Sequence, residues 1–174
     1  SNVVPVLAGS GYLTTPTVTI SSPFSGTSGT PAVANIVGET ASSGGNINTK
    51  YISRRVTLED GFDASDLKVI VNAYKPLGSG LHVYFKVKSD EDPEDFDKKD
   101  YVLMSQETPS SVFSLTEGDT KELVFKSAND AITYTSSNVT YEKFKTFAIK
   151  IALTSNNATV IPKVRDMRAI ALDE

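Results

Sequence analysis

The stretch Leu81-His82-Val83-Tyr84-Phe85-Lys86-Val87-Lys88 places an aliphatic or phenyl side chain at every second position, with polar or amphipathic side chains between. Successive side chains of an extended chain point to opposite faces, so the pattern predicts a β-strand with one buried and one solvent face. Phe147, Ile149, Ile151 and Leu153 repeat the alternation against Ala148, Lys150 and Ala152. Val83, Phe85, Ile149 and Ile151 are therefore expected in the core. Strands buried on one face only belong to antiparallel sheets, not to an all-parallel α/β sheet.

Outward from these two segments, strands are predicted over Tyr51–Leu58, Leu67–Tyr74, Tyr101–Met104, Val112–Leu115, Glu122–Lys126, Ile132–Thr135 and Val160–Leu172, where Val and Thr recur. Turn residues separate them at Asp60-Gly61, Pro76-Leu77-Gly78-Ser79-Gly80, Glu117-Gly118-Asp119 and Ser155-Asn156-Asn157. Tyr141–Phe144 is read as one helical turn capped by Thr140. Short strands with turns between them predict an all-β chain, an antiparallel β-sandwich of jelly-roll type. Residues 1–45 differ: they are rich in Gly, Ser, Thr and Pro, and Glu39 is their only ionisable side chain. Thr17–Ile20 and Ala32–Val37 read there as a short N-terminal β-hairpin or extended segment. The linker-like Ala41–Asn46 sets the boundary of the sandwich domain, 46–174.

The formal net charge is −4 and the pI about 5.1, so no basic excess exists to neutralise phosphates and nucleic acid is not an expected partner. No apolar run reaches membrane-spanning length, so no membrane partner is expected either. The opening Ser1-Asn2-Val3-Val4-Pro5 lacks a signal-peptide core and reads as a cut inside a longer chain. Cys is absent, which removes disulfides, thiolate metal sites and a Cys nucleophile. Trp is absent too, so a sugar-stacking surface would rely on Tyr; Tyr74, Tyr84 and Tyr134 are the candidate glycan-contact residues.

The only His, His82, falls on the polar face of its strand, and no Ser-His-Asp triad can be built without it. The acidic stretch Asp90-Glu91-Asp92-Pro93-Glu94-Asp95-Phe96-Asp97-Lys98-Lys99-Asp100 lacks the central Gly and terminal Glu of an EF-hand, so it reads as a solvated loop. Asp60, Asp63 and Asp66 read as turn caps, with Phe62 tucked into the core as an anchor. Arg54 shares strand parity with Ile52, Val56 and Leu58; if it points inward it needs a partner, and Asp166 is the candidate. Asn138-Val139-Thr140 and Asn157-Ala158-Thr159 match the glycosylation acceptor pattern, as expected by chance in such a composition. No catalytic residue, metal ligand or cofactor is assigned, and the chain is expected not to be an enzyme.

Gly9-Ser10-Gly11-Tyr12-Leu13-Thr14-Thr15-Pro16-Thr17-Val18-Thr19-Ile20 resembles a repeat of large phage and bacterial surface proteins. Thr49-Lys50-Tyr51-Ile52-Ser53-Arg54-Arg55-Val56-Thr57-Leu58, followed by Asp60-Gly61-Phe62-Asp63-Ala64-Ser65-Asp66-Leu67, resembles a module in structural proteins of cyanophage-type contractile-tailed bacteriophages. Ile161-Pro162-Lys163-Val164-Arg165-Asp166-Met167-Arg168-Ala169-Ile170-Ala171-Leu172 resembles the end of the same module. The resemblance implies a non-enzymatic virion component, tail, baseplate or fibre associated, with other virion proteins as partners and self-association as a homo-oligomer. A carbohydrate-binding module that recognises surface glycans is the alternative, because jelly rolls often serve that role.

Overall fold

The computed structural model describes residues 49–129, 131–156 and 159–173. The expected N-terminal segment 1–45 lies outside them. Among the described residues eleven strands run in order: β1 (Lys50–Ile52), β2 (Val56–Thr57), β3 (Asp66–Tyr74), β4 (Ser79–Lys88), β5 (Val102–Leu103), β6 (Ser105–Gln106), β7 (Lys121–Lys126), β8 (Tyr134–Ser136), β9 (Val139–Tyr141), β10 (Thr146–Ser155) and β11 (Lys163–Leu172). The only helical element among the described residues is a single 3-10 turn, Phe96–Lys98.

All strand pairs are antiparallel, as the alternation requires. One sheet has the order β1-β10-β4-β5, with β2 also paired to β10. The other has the order β11-β3-β7-β6, and β8-β9 form a separate hairpin. The two sheets bury Leu67, Val69 and Val71 of β3 and Leu123 and Phe125 of β7 against Val83, Phe85, Ile149 and Ile151 of β4 and β10. The chain is thus an all-β antiparallel sandwich. Gly61 and Gly78 carry φ of +87° and +82°, which only Gly adopts without strain, at the turns closed by Phe62 N–H to Glu59 O and Ser79 N–H to Pro76 O.

One side of the sandwich is closed by the chain itself. β5 pairs with β4 in the first sheet, and β6 pairs with β7 in the second. Between them Met104 is buried and donates its N–H to the Val83 carbonyl at 2.8 Å. This crossing covers the β5/β6 side, whereas β1 and β11 lie at the opposite ends of their sheets.

Several expectations are corrected. The strand over Tyr51–Leu58 is broken at Ser53, whose Oγ accepts the Ile149 N–H at 2.9 Å while its own N–H donates to the Ile149 carbonyl at 2.8 Å. The side chain replaces a ladder partner, so parity no longer tracks burial beyond it: Arg54 is exposed and forms no ion pair with Asp166. Val112–Leu115 is a loop held by Ser114 on Lys75, and Leu115 is 91% exposed. Tyr141–Phe144 is not a helical turn; Tyr141 ends β9, and Phe144 exchanges both backbone hydrogen bonds with Ala64. That bridge, not Phe62, anchors the Asp60–Asp66 loop, because Phe62 is 66% exposed.

Phe85→Ala removes a ring packed between both sheets and is expected to cost about 3–5 kcal/mol in denaturant melts. A loss under about 1 kcal/mol would mean that the ring is not part of a close-packed core.

Candidate functional site

The acidic stretch is solvated over most of its length, with Asp90, Glu91, Asp95, Asp97 and Asp100 exposed, but it is docked at Asp92 and Phe96. Asp92 and Phe96 are buried, and Pro93 lies between Asp92 and Glu94 in an Asx turn, where Asp92 Oδ1 accepts the Glu94 N–H at 3.0 Å. Asp92 Oδ2 accepts from the Tyr134 hydroxyl at 2.9 Å and from Lys99 Nζ at 2.5 Å. Lys99 directs its other two donors to Glu94 Oε2 at 2.6 Å and Ser136 Oγ at 2.8 Å, which uses all three N–H bonds of the ammonium. Ser136 Oγ lies 3.1 Å from Asp92 Oδ1, and Tyr134 Oη accepts the Ser89 N–H at 2.7 Å. The loop is thereby clamped to the β8–β9 hairpin.

Charge states follow from this network. Burial is the largest influence on Asp92 and raises its pKa, but the hydrogen bonds from Lys99, the Glu94 N–H, Tyr134 and Ser136 together outweigh it and bring the carboxyl to about 2. Burial lowers Lys99, but its hydrogen bonds to Asp92 and Glu94 prevail and raise it. Tyr134 is pushed up to about 12, first by burial, with Asp92 adding to the rise. Both carboxylate oxygens of Asp92 and all three donors of Lys99 have partners, so the arrangement holds the loop to the hairpin as a latch.

Behind the clamp, cations and rings alternate across the outer face of the first sheet. Arg55 lies 4.8 Å from the Phe96 centroid and Lys86 4.6 Å from the same ring. Lys86 is 5.2 Å from Tyr101, and Lys150 is 5.8 Å from Tyr101 and 5.0 Å from Tyr84. Each contact supplies about 0.5–2 kcal/mol, more where water is excluded. Lys86 and Lys150 are buried, although their parity placed them on the solvent face. A cavity of about 420 Å³ lies beside the clamp, bordered by Lys86, Lys99 and Tyr134.

The three candidate tyrosines sit on three different elements. Tyr74 is half-buried at the end of β3, and Tyr134 is half-buried with its ring 5.2 Å from that of Tyr141 and its hydroxyl held by the clamp. Tyr84 is fully buried; Tyr101 and Leu103 pack around it, so it presents no ring for a sugar to stack on. His82 is not a plain surface histidine: it is half-buried, its Nε2 has no hydrogen-bond partner, and burial followed by the Lys75 charge lowers its pKa. The acidic trio is dispersed. Asp60 pairs with Lys145 at 3.0 Å, Asp63 is exposed, and Asp66 is buried and accepts from Ser127 at 3.1 Å. Among the described residues no group of three or more Asp, Glu or His side chains is placed to hold a metal ion, and no helix is long and apolar enough to cross a membrane.

The second surface is the open β1/β11 side. β11 pairs with β3 alone, so the other edge of its ten residues meets no strand among those described. Between β1 and β11 a gap of about 690 Å³ is lined by Tyr51, Ile151, Leu153, Val164 and Met167. Tyr51 is 55% exposed beside the buried Ile151, so apolar surface at the rim of the core is left bare by the described residues. Val164 and Ile170 add exposed apolar area along the strand. A bulge shifts the β11–β3 register between Val164 and Asp166. Comparison with protein-family models, curated proteins and solved structures finds no match.

Two outcomes are expected for the clamp. Lys99→Met leaves the Asp92 carboxylate buried with one charge partner fewer and is expected to cost about 3–5 kcal/mol in thermal or denaturant melts. Asp92 has a folded pKa below that of an unfolded Asp, so its contribution is present above about pH 4 and is lost as pH falls toward 2. Melting temperatures across that window should fall less steeply for Asp92→Asn than for the native chain.

Proposed function

We propose that the chain is a non-enzymatic structural module of a phage virion, associated with the tail, baseplate or fibre, that acts through protein–protein contacts. The observation that carries this reading is the uncovered β1/β11 side: a ten-residue strand edge beside a gap that opens onto core side chains. Unpaired strand edges carry a row of free N–H and C=O groups and are templates for pairing with another chain. Exposed apolar side chains around them mark contact surfaces when they are contiguous. The virion setting comes from the resemblance carried by Thr49–Leu67 and Ile161–Leu172, whose two halves contain β1 and β11 themselves.

The reading is tested on purified particles from a host producing the protein. The native chain is expected in them at a fixed copy number by quantitative mass spectrometry. Val164→Lys combined with Ile170→Lys should reduce incorporation at least about tenfold while leaving the circular dichroism spectrum intact, since both side chains are exposed. A chain absent from purified particles overturns the virion setting; full incorporation of the double variant overturns the assignment of the contact surface.

A further inference from the structure

The order of charges along β11 makes its free edge complementary to itself. Asp166 and Arg168 flank Met167 and lie on one face of the strand, with Arg168 Nε 3.7 Å from Asp166 Oδ2 and its Nη2 2.5 Å from Glu122 Oε2 of β7, an exposed pair that Asp166 of a second copy would share. In an antiparallel ladder, hydrogen-bonded and non-hydrogen-bonded pairs alternate. A two-fold axis normal to the sheet must therefore pass between a residue and its own copy. Centring on Asp166 would set two carboxylates face to face, and centring on Arg168 two guanidiniums. Centring on Arg165 repeats the like-charge clash, and centring on Ala169 strands Asp166 and Arg168 opposite apolar side chains. Centring on Met167 alone sets Asp166 opposite Arg168 of a second copy and Arg168 opposite Asp166 of that copy.

We infer that β11 pairs with β11 of a second copy of this chain, antiparallel, about a two-fold axis at Met167. The inference rests on the contact-surface reading above and names the partner. Opposite charges directly across strands attract, whereas like charges there repel, so the edge selects one register and rejects its neighbours. The bulge between Val164 and Asp166 limits the regular ladder to the stretch that carries the selecting charges. The second copy would also shield the gap lined by Tyr51, Leu153 and Met167, which the described residues leave open.

The absence of cysteine allows a direct test on the full chain. Directly opposite Cα atoms of paired strands lie about 4.5–5.5 Å apart, within the span of a disulfide. Met167→Cys is therefore expected to cross-link to a covalent dimer under mild oxidation, whereas Val139→Cys, the more exposed of the two positions, at the hairpin tip, is not. By sedimentation, Arg168→Asp should raise the dimer dissociation constant at least about tenfold, because it sets like charges opposite twice. The exchange Asp166→Arg with Arg168→Asp should restore it. Cross-linking at Met167 no faster than at Val139, or a dissociation constant indifferent to Arg168→Asp, overturns the pairing. If the native chain is monomeric yet still enters particles through β11, only the self-pairing falls and the contact surface stands.

Discussion

Two buried ammonium groups on the outer face of the first sheet constrain the arrangement around them. Lys86 and Lys150 stand where alternation would put solvated side chains, yet both are buried. Removing an ammonium from water costs several kcal/mol, and contacts with aromatic faces return only part of it. The chain must therefore lay rings over these lysines and keep negative charge close by. Phe96 and Tyr101 supply the rings, and the segment that carries them is the most acidic of the sequence. An acidic loop that would otherwise repel itself into solvent becomes a lid over a basic sheet face.

A lid needs a latch, and the Asp92–Lys99–Glu94–Ser136–Tyr134 network provides it from both ends. The loop contributes Asp92, Glu94 and Lys99, and the hairpin contributes Tyr134 and Ser136. The hairpin has only three residues per strand, too few to be stable alone. Its turn residues Ser137 and Asn138 both take positive φ, the geometry a two-residue hairpin loop demands. Loop and hairpin thus stabilise each other. The β5–Met104–β6 crossing then closes the adjacent side, so the described residues cover the β5/β6 side and leave the β1/β11 side open.

The sheets were legible in the sequence because one apolar face imposes a period of two, which β4 and β10 show in sequence and which Ile70 interrupts in β3. Val83, Phe85, Ile149 and Ile151 are buried as that period requires. Reading failed where a side chain took over a backbone role: Ser53 replaces a ladder partner, and the parity argument for Arg54 ended there. It failed again where the outer face was covered from a distance in sequence. Nothing local to Lys86 or Tyr84 announces that Tyr101 will lie across them. The clamp left a faint trace in Asp92-Pro93-Glu94, the sequence of an Asx turn. Its partners Tyr134 and Ser136 lie more than forty positions away, and no local rule connects them. The open side was invisible for a related reason, since a free edge is a property of sheet order and not of any one strand.

The contrast between the two surfaces explains why function is placed on the open one. In the clamp Asp92 and Lys99 direct their acceptors and donors to each other, to Glu94 and to the hairpin, so a new partner would have to break existing bonds before making its own. At β11 the backbone groups of the free edge meet no other strand among the described residues, and the apolar gap beside them is partly exposed. A partner strand there exchanges water for backbone hydrogen bonds and buries apolar area, with little rearrangement of the sandwich. Charged residues on such an edge usually serve to keep strands apart. On β11 they alternate in sign about Met167, so the same charges that deter most strands favour one register of one strand, its own copy.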